Sequence, residues 1–294
     1  MTSEPARQDV PGLVVVRGAG DIATGVIQKI VRAGFVVVAL EAANPCAIRW
    51  RAALYPAVTR GRWQVEDLVA VRAADWDQTR QLLAGWAGPG HLVPVLVDPG
   101  AELLTTIRPL AVVDAILAKR NLGTHRAMAP VTIGCGPGFS AGDDVDLVVE
   151  TMRGHQLGRV ITSGPAQPNT GVPGVIAGRA EERVLRSPAA GVIEVLRGIG
   201  AVVEEGDVIA RVHHGANSVD VPASLDGVIR GMIPDGFRVP QRFKIADIDP
   251  RLEMAGCCDT ISDKSRSVGG AVLEALLMGL VGQGLCKPQE CRPR

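Results

Sequence analysis

The sequence has no net charge and no long apolar run, and each absence excludes a class of partner. Its 31 basic residues balance its 31 acidic residues, so it carries no electrostatic footprint for nucleic acid or an anionic membrane surface. No apolar stretch reaches the length of a membrane span, and residues 1–12 lack the basic and apolar regions of a secretory signal. We therefore expect a cytoplasmic protein with no nucleic-acid or membrane partner.

Cysteine is also sparse. The six cysteines of this 294-residue chain form neither a dense disulfide framework nor a C-x-x-C pair of the kind that binds structural zinc. Reduced thiols and no metal site are therefore expected. The chain is 47% apolar and 21% charged, which is typical of a soluble globular protein with room for about two domains.

A glycine-rich loop follows the first β-branched run. The glycines at 18 and 20 allow a tight turn, and the helix predicted after them offers free N–H groups to a phosphate. Ala23 occupies the third position of G-x-G-x-x-G/A, and Glu41 ends the next apolar run, where an acid can bond a ribose. This pattern favours a nucleotide-type ligand, although a tight turn that binds nothing has the same appearance.

The first half alternates short strand patterns with helical patterns, which indicates a Rossmann-like parallel sheet. The carboxyl ends of these strands carry the Gly18 loop, Glu41, Asp98, Asp114 and a second glycine cluster, and we expect them to meet at one edge. Asp98 and Asp114 could instead serve as a turn residue and a helix cap. The predicted strands cover residues 13–17, 35–40, 92–97, 111–113 and 131–133.

The second glycine cluster covers residues 134–144, and its free amides could bind an anion or a cofactor edge. Alternatively, the acids at 143 and 144 could cap a helix over 145–152. Further along, His155 lies between two arginines. Its spacing shows no carboxylate partner, so its role as a general base stays open beside a purely structural one.

Residues 184–249 repeat themselves with an offset of 36, so that Gly191-Val192-Ile193 recurs as Gly227-Val228-Ile229. Two such all-β halves resemble the biotinyl/lipoyl-like barrel-sandwich fold. The hairpin tip at 212–217 has no lysine, and Lys244 is the only lysine in the repeat. We therefore predict a module that carries no biotin or lipoate.

The tail places Cys258 just before a helix with an apolar stripe at 272, 273, 276, 277 and 280. Ser262 or Asp263 can cap this helix. The nearby Lys264 and Arg266 would favour a reactive Cys258 thiolate, and the alternative is a buried structural cysteine.

Together these segments resemble the EF2563/YqeB-like family of accessory proteins in selenium-dependent molybdenum hydroxylase systems. The residues that carry the resemblance are those at 17–25, 113–124, 136–142, 150–161 and 258–264. The resemblance implies a cytoplasmic maturation factor for a client molybdenum hydroxylase of the xanthine dehydrogenase type. It gives weight to Gly18, Gly20, Asp21, Asp114, Lys119, Asn121, His155, Cys258, Asp263 and Lys264.

Three function classes follow. The first is an accessory protein that binds a nucleotide or pterin dinucleotide and assists its loading or sulfur or selenium transfer. The second is an NAD(P)-dependent oxidoreductase, and the third is a structural scaffold. The cofactor is open, with NAD(P) and molybdopterin cytosine dinucleotide as candidates, and a homo-oligomer is possible.

The sequence also gives a candidate site and domain limits. The candidate catalytic residues are Cys258, His155 and Lys119. The candidate cofactor-binding residues are Gly18, Ala19, Gly20, Asp21, Glu41, Asp114, Gly136 and Gly138. We expect a Rossmann-like α/β domain over 1–180, the β module over 181–250, and a segment with a docked helix over 251–294.

Overall fold

The structure, a computed structural model, describes residues 10–286. These residues form two compact units. Unit 1 comprises 10–45, 53–169 and 261–286, and unit 2 comprises 46–52 and 170–260. The chain therefore enters unit 2 twice. Within the predicted 251–294 segment with a docked helix, residues 251–260 belong to unit 2 and residues 261–286 belong to unit 1.

Unit 1 is built on a nine-stranded sheet with four helices. Its strands are β1 (Leu13–Arg17), β2 (Val36–Glu41), β3 (Arg62–Val65), β4 (Leu68–Ala73), β5 (His91–Val97), β6 (Ala111–Asp114), β7 (Val131–Cys135), β9 (Leu147–Val149) and β10 (Val160–Ile161). A separate pair is β8 (Ser140–Ala141) with β11 (Gly164–Pro165). The helices are α1 (Asp21–Arg32), α2 (Ala57–Arg60), α3 (Trp76–Gly85) and α4 (Asp263–Gly282).

The strand order is β10-β9-β7-β6-β1-β2-β5-β4-β3, and the sheet is mixed. Its seven inner strands run parallel, but β10 pairs antiparallel with β9, and β3 pairs antiparallel with β4. Only short 3-10 turns lie between β5 and β6 and between β6 and β7. The predicted Rossmann-like parallel sheet is therefore wrong: both edge strands are antiparallel, and these crossovers lack the α-helices of regular βαβ units.

Helices α1 and α4 pack together at two glycines. A Cβ built at Gly25 would lie 2.5 Å from the Ser265 carbonyl oxygen, and one built at Gly269 would lie 2.4 Å from the Gly25 oxygen. Backbone therefore meets backbone, and the first turns of the two helices lie side by side. Ser262 caps α4 by accepting a hydrogen bond from the Ser265 N–H.

Helix α4 is, among the described residues, the one helix long and apolar enough to cross a membrane by length and composition. Its residues Val268, Val272 and Leu276 are buried, and the helix packs against α1, β7 and β9. One face of the helix is therefore packed within unit 1. The cytoplasmic location stays a prediction.

Unit 2 consists of two four-stranded antiparallel sheets. Their orders are β12-β19-β17-β14 and β16-β15-β13-β18. The strands are β12 (Val184–Arg186), β13 (Gly191–Val195), β14 (Val202–Val203), β15 (Val208–His214), β16 (Asn217–Pro222), β17 (Gly227–Met232), β18 (Arg238–Val239) and β19 (Lys244–Asp249).

The sequence repeat is visible in unit 2 at its two glycines. A Cβ at Gly191 would lie 2.1 Å from the His213 carbonyl oxygen, and one at Gly227 would lie 2.4 Å from that of Asp249. Both contacts obey the offset of 36. The predicted biotinyl/lipoyl-like barrel-sandwich is nevertheless not shown, and the fold prediction is corrected to a mixed α/β unit 1 and an antiparallel two-sheet unit 2.

Candidate functional site

The candidate site lies in unit 1, at the carboxyl edge of the nine-stranded sheet. Arg17 at the end of β1 pairs with Asp114 at the end of β6, and Asp114 pairs with Gly134 on β7. Cys135 then pairs with Val149 at the end of β9. Because these strands are parallel, the loops that follow them share one edge.

The loop after β1 has one packed glycine and one open glycine. Gly18 has a φ of 100°, and a Cβ there would lie 3.0 Å from the Ala115 carbonyl oxygen. Gly20 is the N-cap of α1, with no side-chain hydrogen bond to cap it, and no atom lies within 4 Å of a Cβ built on it. The first turn of α1 is therefore accessible at Gly20.

The Glu41 carboxylate accepts hydrogen bonds from two backbone N–H groups, one of which belongs to this same loop. Its Oε2 accepts the Ala19 N–H at 2.8 Å, and its Oε1 accepts the Ala42 N–H at 2.7 Å. Burial raises the pKa of Glu41 even though both hydrogen bonds act to lower it. The Glu41 carboxylate is thus engaged by the protein's own backbone. To contact a ribose, it would have to give up its hydrogen bonds with Ala19 and Ala42.

Asp114 belongs to a buried network that shapes the loop over 115–124. It accepts a hydrogen bond from Thr124 Oγ1, and the guanidinium of the buried Arg17 lies 3.5 Å away. Arg17 also donates to Thr124 Oγ1 and to the Leu122 carbonyl. Asn121 Oδ1 accepts the Gly123 and Thr124 N–H groups. In this structure Asp114 holds the loop rather than facing an open cavity.

This loop presents Lys119 in a strained backbone conformation. Leu117 and Lys119 have φ values of 61° and 63°, in the left-handed region that residues with a side chain disfavour. Such strain is of order 1 kcal/mol per residue and persists only where the surroundings impose it, often at functional sites. The end of the same loop, at Leu122 and Thr124, is held by hydrogen bonds to Arg17 and Asp114, and Lys119 itself is exposed.

The second glycine cluster is explained by packing. A Cβ at Gly136 would lie 2.4 Å from Thr151 Oγ1, and one at Gly138 would lie 2.5 Å from the Arg120 Cα. Gly138 therefore lets the loop after β7 lie against the one that carries Lys119. Asp144 accepts the Ser140 N–H, and β9 replaces the helix considered over 145–152.

The segment after β9 reaches the first turn of α4. Glu150 is buried, and its carboxylate accepts the N–H groups of Thr151, Met152 and Gln167. Arg153 forms a bidentate pair with Asp263, at 2.9 and 3.0 Å. Both side chains are partly exposed, so this pair contributes at most about 1 kcal/mol.

Lys264 lies in the first turn of α4, where the helix dipole disfavours a cation. Burial lowers its pKa, and the positive charges of Arg153 and Lys119 lower it further. The carboxylates of Asp21 and Glu150 act in the opposite direction. Lys264 forms no hydrogen bond or salt bridge within the described part of the chain. The positive charges of Arg153 and Lys119 therefore oppose a cation at Lys264, in the first turn of α4.

The remaining candidates lie elsewhere. His155 is exposed on the segment between β9 and β10. Cys258 belongs to unit 2, where it is buried and its Sγ lies 3.3 Å from the Met254 carbonyl oxygen. Burial raises its pKa, and the nearby Arg230 and Arg49 do not reverse this. The predicted thiolate environment of Cys258 is not found.

The described residues include four cysteines besides Cys258. Cys46, Cys135 and Cys257 are free, as is Cys258. Cys286 is disulfide-bonded, so the expectation of reduced thiols does not hold there. Within residues 10–286, no group of three or more His, Cys, Asp or Glu side chains is placed to hold a metal ion.

Reasoning from residues alone missed Lys264 and Arg153 as site residues. Lys264 entered only through the family resemblance, and Arg153 was seen only as a neighbour of His155. A signal was present in the sequence: a lysine two residues after the N-cap serine is electrostatically misplaced. The charges around it come from segments more than a hundred residues away, which spacing does not reveal.

Comparison with known proteins gives one strong relative. No protein-family model matches the chain. YqeB of Escherichia coli strain K12, described as an uncharacterized protein, is 48% identical over 287 residues. The chain resembles YqeB along almost its whole length. The match covers 98% of this chain and 51% of YqeB, so the chain spans about half the length of this relative. The expected likeness extends to this one uncharacterized relative, and nothing found links it to selenium or molybdenum.

Solved structures are similar only at a low level. One, described as a succinylglutamate desuccinylase/aspartoacylase from Rhodobacter sphaeroides, is 21% identical with a TM-score of 0.22, over 30% of this chain and 29% of its own. An aspartoacylase family protein from Mesorhizobium loti is 16% identical with a TM-score of 0.24, over 50% and 58%. The ectoine utilization protein EutE from Ruegeria pomeroyi is 12% identical with a TM-score of 0.26, over 82% and 86%.

These findings correct the predicted function. The solved structures carry desuccinylase, aspartoacylase and ectoine-utilization names, which do not fit a molybdenum hydroxylase accessory protein or an NAD(P)-dependent oxidoreductase. Both predictions, with their molybdenum and selenium components, are wrong on this comparison. At these TM-scores the likeness carries no argument for a hydrolase activity of this chain. The function must be argued from the geometry of unit 1.

Proposed function

We propose that unit 1 binds a small anionic ligand, bearing a carboxylate or phosphate group, at the sheet edge around Lys264. One observation carries this proposal: Lys264 lies in the first turn of α4, where the positive charges of Arg153 and Lys119 act to lower its pKa, and it has no hydrogen bond or salt bridge to a described residue. Its position is unfavourable for a cation and favourable for an anion.

The surrounding charges leave room for an anion. The carboxylate of Glu150 is held by three backbone N–H groups, and Arg153 is paired with Asp263. The carboxylates that act on Lys264 are those of Asp21 and Glu150. The first turn of α1 has no side-chain cap, and no atom lies within 4 Å of a Cβ built at Gly20, so its free N–H groups could also bind an anion.

Glycine 20 offers a steric test that leaves the fold intact. Its φ of −68° is available to alanine, and a methyl group there meets no atom. Gly20→Ala should therefore fold normally but weaken binding several-fold, because the methyl group covers the α1 amides. Isothermal titration calorimetry with inorganic phosphate and with acetate measures this. Gly85→Ala, at the open C-terminal end of α3, is the matched control.

Lysine 264 offers an electrostatic test. Lys264→Gln removes one charge-assisted contact and should weaken binding by about tenfold, or about 1.4 kcal/mol. A bound anion favours the protonated amine, so affinity for the wild type should fall as the pH rises through the lowered pKa of Lys264. The proposal would be contradicted if the wild type bound neither phosphate nor acetate. It would also be contradicted if Gly20→Ala and Lys264→Gln bound these anions as tightly as the wild type does.

A further inference from the structure

Unit 2 contains a cavity that the proposed site in unit 1 does not involve. The cavity has a volume of about 500 Å³ and is lined by Gly171, Pro173, Glu181, Val184, Arg186 and Arg242. Sites for small molecules commonly have volumes of about 300–1,000 Å³. The charged side chains of the lining are two arginines and one glutamate. The cavity therefore has the size of a small-molecule site and a charge that favours an anion.

A buried arginine holds the loop that forms one wall of this cavity. The guanidinium of Arg183 donates to the Gly174 carbonyl oxygen at 3.2 Å and to Asp247 Oδ1 at 2.8 Å. Its Nε also donates to the Arg179 carbonyl oxygen at 3.2 Å. Because these hydrogen bonds attach the loop to β19, the wall that includes Pro173 is formed by the fold of unit 2 itself.

Arg242 has a backbone conformation for which the other half of the repeat uses glycine. Its φ is 64°, and Gly206, which lies 36 residues earlier, has a φ of 93°. The Arg242 N–H donates to the Ser187 carbonyl oxygen at 2.8 Å, and the Gly206 N–H donates to that of Ala223 at 2.9 Å. Ser187 and Ala223 obey the same offset, so the two turns are equivalent. One half of the repeat thus keeps an arginine in a left-handed conformation that favours glycine.

The Arg242 side chain has no partner in the described part of the chain that would account for this strain. Its guanidinium forms no hydrogen bond or salt bridge with residues 10–286. Arg186 Nη1 donates to the Arg242 carbonyl oxygen at 3.2 Å, which brings a second guanidinium to the same turn. Strained backbone conformations of this kind cluster at ligand sites. The strain at Arg242 and the cavity beside it therefore point to the same ligand.

We propose that this cavity binds a small polyol phosphate, whose phosphate group accepts hydrogen bonds from the guanidinium groups of Arg186 and Arg242. A phosphate monoester carries a charge of about −1.5 to −2 at pH 7 and three strong acceptor oxygens. It can therefore bridge two guanidinium groups, for which arginine has the matching planar geometry. The remaining volume receives the polyol, and the Glu181 carboxylate in the lining is an acceptor for a hydroxyl group.

Glycerol 3-phosphate is the probe for this site. Hydrogen exchange of the full chain, followed by peptide mass analysis, should show slower exchange in residues 171–186 and 240–243 when the probe is added. Titration of this protection measures the affinity of the cavity separately from any anion binding in unit 1. Glycerol should give no protection, and inorganic phosphate should compete with the probe.

Substitutions test the two arginines. Arg242→Gln and Arg186→Gln should each weaken binding of glycerol 3-phosphate by about tenfold, because each removes a charge-assisted hydrogen bond. Arg197→Gln is the matched control, because Arg197 is an exposed arginine of unit 2 that does not line the cavity. Its affinity should equal that of the wild type.

Arg242→Gly separates binding from folding. Gly206 shows that glycine fits this turn, so the variant should relieve the strain at residue 242 and slow hydrogen exchange in unit 2 without ligand. It should nevertheless bind glycerol 3-phosphate at least as weakly as Arg242→Gln does. Faster exchange throughout unit 2 in this variant would show that Arg242 is retained to stabilise the fold, and would overturn the proposal.

The proposal would also be overturned if glycerol 3-phosphate left exchange in unit 2 unchanged. The same holds if Arg242→Gly bound the probe as tightly as the wild type, or if Arg197→Gln weakened binding as much as Arg242→Gln. Lys264→Gln, a substitution in unit 1, should leave the protection of residues 171–186 intact. The two proposed sites therefore stand or fall by separate measurements.

Discussion

Single residues in this protein show why a glycine-rich loop needs its surroundings before it can be interpreted. Gly18, Gly136 and Gly138 are required because other backbone or side-chain atoms occupy the space that a Cβ would take. Gly20 differs because nothing occupies that space. The four residues look alike in the sequence, and only Gly20 leaves a helix terminus open to a ligand.

Replacing Lys119 by glycine should raise the stability of the protein and weaken its phosphate binding. Lys119→Gly relieves a φ of 63° and should raise the free energy of unfolding by up to about 1 kcal/mol. The same change removes a cation from the site and should weaken phosphate binding. Denaturant unfolding and calorimetry measure the two effects.

Leu117 is the control position, because it has a similar backbone strain but carries no charge. Leu117→Gly relieves a similar φ of 61° without changing the charge, so phosphate affinity should be retained. Because Leu117 is half-buried, lost packing offsets part of its gain in stability. A Lys119→Gly protein that binds phosphate as tightly as the wild type would exclude Lys119 from the site.

At the scale of elements, the crossing of α1 with α4 positions the site. Gly269→Ala places a methyl group 2.4 Å from the Gly25 carbonyl oxygen. Overpacking of this kind costs about 1–3 kcal/mol, more than the gain in helix propensity of about 1 kcal/mol from replacing glycine. We expect a lower melting temperature and weaker phosphate binding, because the first turns of the two helices must separate.

The adjacent glycine gives the opposite expectation. Gly270 is exposed on α4, and no atom lies within 4 Å of a Cβ built there. Gly270→Ala should therefore stabilise the helix by up to about 1 kcal/mol and leave phosphate binding unchanged. Equal melting temperatures for the two variants would show that the helices do not meet at Gly269.

At the scale of the whole molecule, the two units have separate cores and separate pH dependences. In unit 2, burial acts to raise the pKa of Asp249, but hydrogen bonds from Arg251 and Arg230 outweigh it and hold that pKa at about 2. A lowered carboxyl pKa adds stability above the unfolded value of about 3.9, and this stability is lost as the pH falls toward 2.

Because of Asp249, we expect acid to lower the stability of unit 2 selectively. Its contribution is about 2 kcal/mol above pH 4. Asp249→Asn should destabilise unit 2 by about 3 kcal/mol, because Arg230 then stays buried without its carboxylate. Hydrogen exchange followed by peptide mass analysis reports residues 170–260 separately from unit 1. Asp220→Asn, which breaks an exposed pair with Arg211, should change exchange little.

Much of the fold of unit 1 was accessible from the sequence. The predicted strands at 13–17, 35–40, 92–97, 111–113 and 131–133 overlap β1, β2, β5, β6 and β7. The Ser262 cap and the apolar stripe of α4 were also read correctly. These features depend on neighbouring residues, so periodicity and capping chemistry reveal them. The antiparallel direction of the edge strands β3 and β10 was not predicted, since strand direction depends on distant pairing.

The candidate site was less accessible. Residue patterns located the carboxyl edge of the sheet, but they assigned Glu41 and Asp114 to a cofactor, whereas the structure turns both toward the protein itself. A displacement of the carboxylate by a few ångströms decides whether it contacts a ligand or a group of the protein itself. That difference is decided by loops whose sequences are far apart.

The sequence by itself determined the strands, the capped helix α4, the 36-residue repeat and the likeness to YqeB, because each is recorded in residue order. Only the tertiary structure decided that Gly20 is open while Gly18 is packed, and that Cys258 is buried in unit 2. It alone brought the charges of Lys119 and Arg153 to act on Lys264 in the first turn of α4. Burial and the proximity of charges are properties of distance in space, and those distances arise only when remote segments pack.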